Sequence, residues 1–474
     1  MTKYTNKNQI RWLDWSNSAF DKAKKENKLV LLSISAVWCH WCHNLDKETY
    51  SHPAVVKKIN SEFVPVRVDT DVRPDINDRY NLGGWPSVAV LRHDGSLVSG
   101  VLYEPPEKFL AFIEHSKELA KMPPEKVTAE MLPQRMQDVR AALEQFKRNV
   151  EAAFDPLYGG FGFAPKFPHQ EVLLFLLEYY SKSKDKKVGE MLKKTLHGML
   201  AGEFSDKESG GFFRYATQQN WTIPHFEKML EDNALLADVY SLAYSLFGEE
   251  KFRTVAKETC YFLLTVLFDK TNCFFYGSQD ADEAFCKLSK DERTKAQLPF
   301  IDKRIYVGWN ALALSALLNT AARVKEPLFK TVALRGLKNL AEQAMTKEGI
   351  VHCIIEGKPF RVYLAKDAVL LQSAFLAAYD YSGDKFFLAT AKKLTKIIEE
   401  NFVEKNVVYD IRKERNAVGF LADRHVDLIA TAYFAMNLLK LAGKKNVAVM
   451  LSTAAQDLLS GIHAAAVARA VLRL

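Results

Sequence analysis

Two cysteines carry the clearest chemistry in the sequence. Cys39 and Cys42, within Trp38-Cys39-His40-Trp41-Cys42-His43, have the C-x-x-C spacing at which two thiols one helical turn apart interconvert with a disulfide. The apolar run Leu29–Ile34 reads as a buried strand and a helix starts near Cys39, so this sulfur meets unsatisfied N–H groups and the positive end of a helix dipole, which favour thiolate over thiol. Cys39 is therefore expected to attack and Cys42 to resolve the mixed disulfide. Three rivals share the spacing. C-x-x-C-H also attaches c-type haem, but in exported proteins, and MTKYTNKNQIRWLDW has no apolar leader-like core. Zinc normally recruits a second ligand pair, and there is no second C-x-x-C. A merely structural pair is the third. No metal or cofactor is expected.

Gly83-Gly84-Trp85-Pro86-Ser87 lies just before a strand, where thioredoxin-like proteins set a cis-proline beside the dithiol. Trp38 and Pro86 are the expected supports of the pair.

Further along, Trp221-Thr222-Ile223-Pro224-His225-Phe226-Glu227-Lys228 puts an aromatic, an imidazole and a carboxylate at a loop-to-helix junction. His225 could act as a general acid/base, the role for which imidazole chemistry is suited, with Glu227 or Asp232 as partner. Asp280 and Asp282 could form a carboxylate pair, while Trp221 and Trp309 could stack on a sugar face. Arg214, Asn310 and Lys166, the last in the Gly/aromatic loop Gly159–Pro168, complete a candidate pocket. Each has a plainer reading: a structural histidine, a helix cap or a core indole. Gly159-x-x-Gly162 lacks the spacing of a phosphate loop.

The elements that must position these groups divide in two. Residues 1–122 alternate: a helix over Ser16–Asn27, strands at Leu29–Ile34, Phe63–Val68, Ser87–Leu91 and Leu97–Tyr103, the last two joined through Asp94-Gly95, and a helix at Pro106–Lys121. Met122-Pro123-Pro124 breaks the pattern, so residues 123–134 are expected to link the domains. From 135 to 474 about twelve helical periods follow, near 135–153, 168–183, 187–204, 226–247, 250–268, 309–325, 327–346, 365–382, 385–403, 424–441, 445–459 and 460–474. Paired helices suggest an (α/α)6 toroid rather than a straight solenoid, although no sequence repeat is visible to establish closure.

Composition narrows the classes. In 474 residues, 48% hydrophobic and 26% charged with 22 Gly and 16 Pro describe a folded globular chain. A net charge of +8 with no concentrated basic tract gives no reason to expect nucleic acid. No uncharged apolar run approaches the roughly 20 residues of a membrane span. Six cysteines are too sparse for a disulfide scaffold, and a cytoplasmic location is expected.

The run NQIRWLDWSNSAFDKAKKENKLVLLSISAVWCHWCHNLDKETY, followed by VDTDVRPDINDRY and GGWP, resembles the N-terminal domain of the spermatogenesis-associated protein 20 family of thioredoxin-domain proteins. FGFAPKFP, GGFFRYATQQNWTIPHFEKMLEDNALLADVY, GSQDADE and VGWNALALSALLNTAAR resemble that family's second domain, of the six-hairpin glycosidase and N-acylglucosamine 2-epimerase-like kind. The resemblance implies a thioredoxin-like α/β domain followed by an (α/α)6 barrel. Departures bear on activity: Asp46-Lys47-Glu48-Thr49-Tyr50 replaces the usual His-Glu-Ser-Phe, Gln218 and Gln219 follow Arg214-Tyr215 where an acid is common, and Glu231 stands where Tyr usually precedes Asp232. Three functions are carried forward: thiol–disulfide exchange on a protein substrate; a sugar isomerase, epimerase or hydrolase barrel with a vestigial or regulatory thioredoxin domain; and a non-catalytic binding protein.

Overall fold

The computed structural model describes residues 9–123, 136–414, 417–443 and 447–474. The chain forms two compact units, Met1–Met131 with Lys413–His425 and Leu132–Arg412 with Val426–Leu474. Most of the expected 123–134 linker lies outside the described residues.

In the first unit, helix α1 (Asn17–Glu26) buries Ala19, Phe20 and Ala23 and ends on Asn27, which takes the left-handed conformation its short polar side chain tolerates. Strand β1 (Leu29–Ser35) pairs parallel to β2 (Phe63–Asp69) and antiparallel to β3 (Ser87–Leu91), and β4 (Leu97–Val101) completes the order β2-β1-β3-β4. Burial of six consecutive β1 residues shows that both faces of the central strand are covered. Helices α2 (His40–Lys47), α3 (Pro53–Glu62), α4 (Pro74–Tyr80) and α5 (Pro106–Leu119) flank the sheet. The last three begin on proline, whose missing N–H costs nothing at a first helical position. Leu31, Tyr50, Ile59, Phe63, Val90 and Phe109 centre the core.

Lys413–His425 belongs to this unit although the chain on either side of it does not. Phe420 stacks on Tyr80 at 5.0 Å. The Tyr80 hydroxyl accepts the Phe420 N–H at 2.9 Å and donates to the Gly95 carbonyl at 2.8 Å, while Arg79 donates to the carbonyls of Phe420 and Asp423. Gly95 and Gly419, both at positive φ, approach so closely that a Cβ on Gly95 would fall 2.5 Å from the Gly419 Cα. Phe420→Ala should therefore lower the stability of the first unit by about 1–3 kcal/mol, read by chemical unfolding through the tryptophans. An unchanged midpoint would show that the segment adds no support.

The second unit is helical. Its helices are α6 (Val139–Ala153), α7 (Gln170–Ser183), α8 (Lys186–Ala201), α9 (Leu230–Phe247), α10 (Glu250–Val266), the single turns α11 (Glu283–Cys286) and α12 (Lys290–Arg293), then α13 (Val307–Val324), α14 (Pro327–Ala344), α15 (Ala365–Ser382), α16 (Lys385–Asn401), α17 (Leu428–Ala442), α18 (Val447–Ala454) and α19 (Ala465–Arg473). Among the described residues, α7, α9, α13, α15, α17 and α19 touch in that order and α19 returns to α7, which closes the ring. Helices α8, α10, α14, α16, α18 and α6 pack outside it. This is the (α/α)6 toroid, and its apolar core runs through all six inner helices.

Closure has a hidden repeat. Each of five outer-to-inner connections begins with a backbone bridge: Phe154 to Phe161, Ser205 to Phe212, Phe268 to Phe275, Met345 to Ile350 and Val403 to Val408. Asp155, Asp206 and Asp269 follow the first three bridge starts, and each accepts backbone N–H groups within its turn. The fourth residue of the next inner helix then holds the returning strand. Asn233 bonds both backbone groups of Phe212, Asn310 does the same for Phe275, and Thr431 accepts the Val408 N–H.

Candidate dithiol site and barrel rim

Cys39 is the N-cap of α2, and its Sγ accepts the Cys42 N–H at 3.1 Å. The two sulfurs are joined as a disulfide across a Cα–Cα distance of 5.2 Å. Ala36 and Val37, just after strand β1, are buried, and α2 buries Cys42 and Leu45 on its inner face, so packing on both sides fixes the pair at the helix start. Trp38 donates its indole N–H to Asp71 at 2.7 Å and meets Trp85 edge to face at 5.4 Å. The Trp85–Pro86 peptide is cis. Asn81 organises this loop by accepting the N–H groups of Gly83 and Gly84, at 2.7 and 3.0 Å, while Ser87 donates to the Gly84 carbonyl at 2.7 Å. Trp41, beside the dithiol, is 52% exposed and rests on Tyr103.

The departure after the dithiol is structurally absorbed. Asp46 forms a bidentate pair with Arg67 at 2.8 Å for both bonds. Glu48 accepts from Tyr103 and Thr49 donates to the Glu104 carbonyl, while Tyr50 is buried between Trp12 and Phe109.

In the barrel, four candidates turn inward to the protein itself. Lys166 is fully buried, pairs with Asp155 at 2.5 Å and donates to the Gly162 carbonyl at 3.2 Å. Trp221 is fully buried and donates to the Tyr158 carbonyl at 3.1 Å, which leaves no open ring face for a sugar. Asn310 serves the returning strand described above. Asp282 caps α11 through the Phe285 N–H at 2.9 Å. The departure at Gln219 has a local cause too: its amide donates to Asp155 at 3.0 Å, where an acid would repel that carboxylate.

The remaining candidates form smaller local contacts. Tyr215 stacks on His225 at 4.4 Å and on Phe167 at 4.7 Å, and His225 Nδ1 stands 3.7 Å from Glu227 Oε1. Glu227 is buried, and its Oε2 has no hydrogen-bond partner. Asp232, in the first turn of α9, accepts from Gln170, the first residue of α7, at 2.8 Å. Burial, reinforced by the Glu231 charge and opposed by Arg214, pushes the Asp232 carboxyl up to about 7. Asp280 is buried one residue beyond the pairing of Gln279 with Lys228, and Trp309 lies against Tyr306 at 4.5 Å.

Residues 2–148 match the family model Thioredox_DsbH, described as a protein of unknown function, DUF255. Over those residues the chain is similar to that domain family. Human spermatogenesis-associated protein 20 is 32% identical over 309 residues, 58% of this chain and 39% of that protein. The chain thus spans 39% of the length of this relative. Thioredoxin-1 of Drosophila melanogaster is 27% identical over 74 residues, 16% of this chain and 66% of that protein. Among solved structures, cellobiose 2-epimerase from Spirochaeta thermophila superposes with a TM-score of 0.54 at 13% identity, over 71% of this chain and 97% of that one. The family 76 glycoside hydrolase (mannosidase) Bt3792 of Bacteroides thetaiotaomicron gives 0.52 at 10% identity, with the same coverages of 71% and 97%. At such identities the likeness is one of fold: a thioredoxin-like domain joined to an epimerase- and glycosidase-like barrel.

One rim pair escaped sequence reasoning. His352 Nδ1 lies 2.8 Å from Asp367 Oδ2, both are buried, and Asp367 also accepts the Gly308 N–H at 3.0 Å. Fifteen residues separate the pair, and only the barrel's geometry joins them, so neither spacing nor composition signals it.

Proposed function

We propose that the first unit exchanges thiols and disulfides with protein substrates through Cys39 and Cys42. The observation that carries this is Cys39 at the N-cap of α2, receiving an N–H on its sulfur while bridged to Cys42. In the reduced state the Cys39 thiolate attacks a substrate disulfide, forming a mixed disulfide and releasing one substrate thiolate. The Cys42 thiolate then attacks Cys39 Sγ, expels the second substrate thiolate and closes the Cys39–Cys42 bond. Two electrons pass to the substrate, and an external dithiol must return them. Half-exposed Trp41 and the Trp85–Pro86 loop supply the apolar surface for an extended polypeptide. A cytoplasmic setting, where reductants are abundant, fits this direction; among the described residues no helix is long and apolar enough to cross a membrane. Equilibrating the full chain in glutathione buffers and counting alkylated cysteines should reveal one two-electron transition of this pair. A pair that stays oxidised in excess reductant would reject the reading.

A second reading concerns the barrel, where Asp232 favours a binding or proton-transfer site for a small sugar-like ligand. Its carboxyl, pushed up to about 7, is poised to hold a proton near neutrality, and Glu227 presents a buried oxygen beside His225. The raised value also makes a stability prediction. Between the ordinary carboxylate range and about pH 7 the folded chain holds a proton that the unfolded chain has lost, so this group's contribution falls as pH rises through that window and is flat above it. Asp232→Asn should remove that part of the slope in melting temperature measured from pH 4 to 8. Parallel profiles for the two proteins would show that Asp232 is an ordinary carboxylate.

A further inference from the structure

The barrel holds a cavity of about 250 Å³ whose wall is drawn from all six inner helices. Its base reaches Ala234 and Leu312, close below the rim described above, but its charged wall lies at the other end of the inner helices. Asp232 and Trp309 stand in the first turns of α9 and α13, whereas the cavity's polar wall includes Arg323, next to the last residue of α13, Lys440, near the end of α17, and Arg473, the last residue of α19. With a rise of about 1.5 Å per residue, Arg323 is about 21 Å along α13 from Trp309. Four connections at this end are short: Lys184-Asp185, Gly248-Glu249, Lys325-Glu326 and Gly383-Asp384 each join an inner helix to an outer one in two residues.

The wall is ionic, and its charges do not balance. Asp238 is held by Arg323 and by Asn319, at 3.1 and 3.2 Å. Glu178 receives Arg469 at 2.9 Å and Arg473 at 2.6 Å. Lys440 completes four cations against these two carboxylates. The anions that offset the remainder, Glu171 on Arg469 and Asp380 on Lys440, are not part of the wall. Cations at helix C-termini are favourable in themselves, but the donor count goes further. Arg323 bonds through NH1 alone, Arg473 through Nε and NH2, and Lys440 through one of its three N–H groups. Every carboxylate oxygen of the wall except Glu178 Oε2 and Asp238 Oδ2 already takes more than one donor, and each of these takes one. Unengaged donors therefore outnumber open acceptors, over a base that includes Leu174, Leu312 and Leu370.

We infer that this cavity binds a small anion, a carboxylate or phosphate carried on a hydroxylated frame of monosaccharide size. The anionic oxygens would meet Arg323, Lys440 and Arg473. The hydroxyls would reach Asp238, Asn319 and Ser315, and the apolar face would lie on the leucines. The inference rests on the cavity alone and is independent of the dithiol and of the rim.

Calorimetric titration of the full chain with glucose, glucuronate, glucose 6-phosphate and inorganic phosphate tests it. Glucuronate or glucose 6-phosphate should bind at least about tenfold more tightly than glucose, and the stronger of the two identifies the anionic group. Arg473→Gln and, as a second and more exposed position, Lys440→Gln should each weaken that binding about tenfold with the melting temperature of the unliganded protein little changed. Absence of anion binding, equal affinity for glucose, or affinity unchanged in both variants would overturn the inference. Binding of inorganic phosphate alone, with neither sugar anion bound, would also overturn it, because the hydroxylated frame would then play no part.

Discussion

Replacing Cys39 by serine should abolish disulfide exchange, lowering the rate by at least about a thousandfold, because serine at the N-cap can still accept the Cys42 N–H but offers no sulfur nucleophile. Fold and cap should survive, so circular dichroism of Cys39→Ser should match that of the reduced parent. Cys42→Ser has a different expected signature. The first attack remains possible while resolution is lost, so mixed disulfides with substrate should accumulate and dissolve on adding dithiothreitol. Mass spectrometry of the trapped species checks this directly. If both variants lose exchange equally and neither accumulates adducts, Cys39 is not the attacking sulfur.

The second large effect is expected in stability, at the buried lysines. Lys166 and Lys228 form duplicate struts: each is buried, each pairs at 2.5 Å with the aspartate that opens a connecting turn, Asp155 or Asp206, and each also donates to a backbone carbonyl at or just beyond that turn, Gly162 or Gly210. Removing one partner of a buried pair strands the other charge, a cost of about 3–5 kcal/mol. The two sites should differ. Asp206 keeps Arg293 at 2.7 Å when Lys228 is lost, whereas Asp155 keeps the neutral Gln219 amide and backbone N–H groups. Lys166→Met should therefore destabilise the barrel more than Lys228→Met, and a Lys166→Met, Asp155→Leu double variant should recover part of the loss. Urea unfolding measures all three. A Lys166→Met variant within about 1 kcal/mol of the parent would show that the pair contributes little.

These lysines also show where sequence reading stops. The helices of the barrel were legible because long apolar periods end in recognisable breaks: the period expected over 365–382 is α15 to the residue, and Gly383 follows it at φ +68°. Helices α3 and α4 were not anticipated; each is short and sits between a proline and the next strand or loop. Ring closure was expected from the paired helices but not established by them, since it depends on α19 meeting α7, nearly the whole barrel sequence away. The repeat that accompanies it is kept as bridge geometry while its residues change from Phe to Ser, Met and Val. Within the candidate pocket, residue type misled most where burial decided the role. Lys166 and Trp221 in a glycine- and aromatic-rich stretch look like ligand contacts until Asp155 and the Tyr158 carbonyl are found beside them. Asp232 was legible as a carboxylate but not as a raised one, which depends on its burial as well as on neighbouring Glu231. The dithiol was the most readable feature because strand, helix start and both sulfurs lie within fourteen residues, Leu29 to Cys42.

Reduction of insulin by the 474-residue chain, followed as precipitation of the released B chain with a small dithiol as electron source, tests the central proposal most directly. The expected result is catalysis well above the dithiol alone that disappears in Cys39→Ser. A rate equal to the dithiol background, or an enhancement that Cys39→Ser retains, would contradict it.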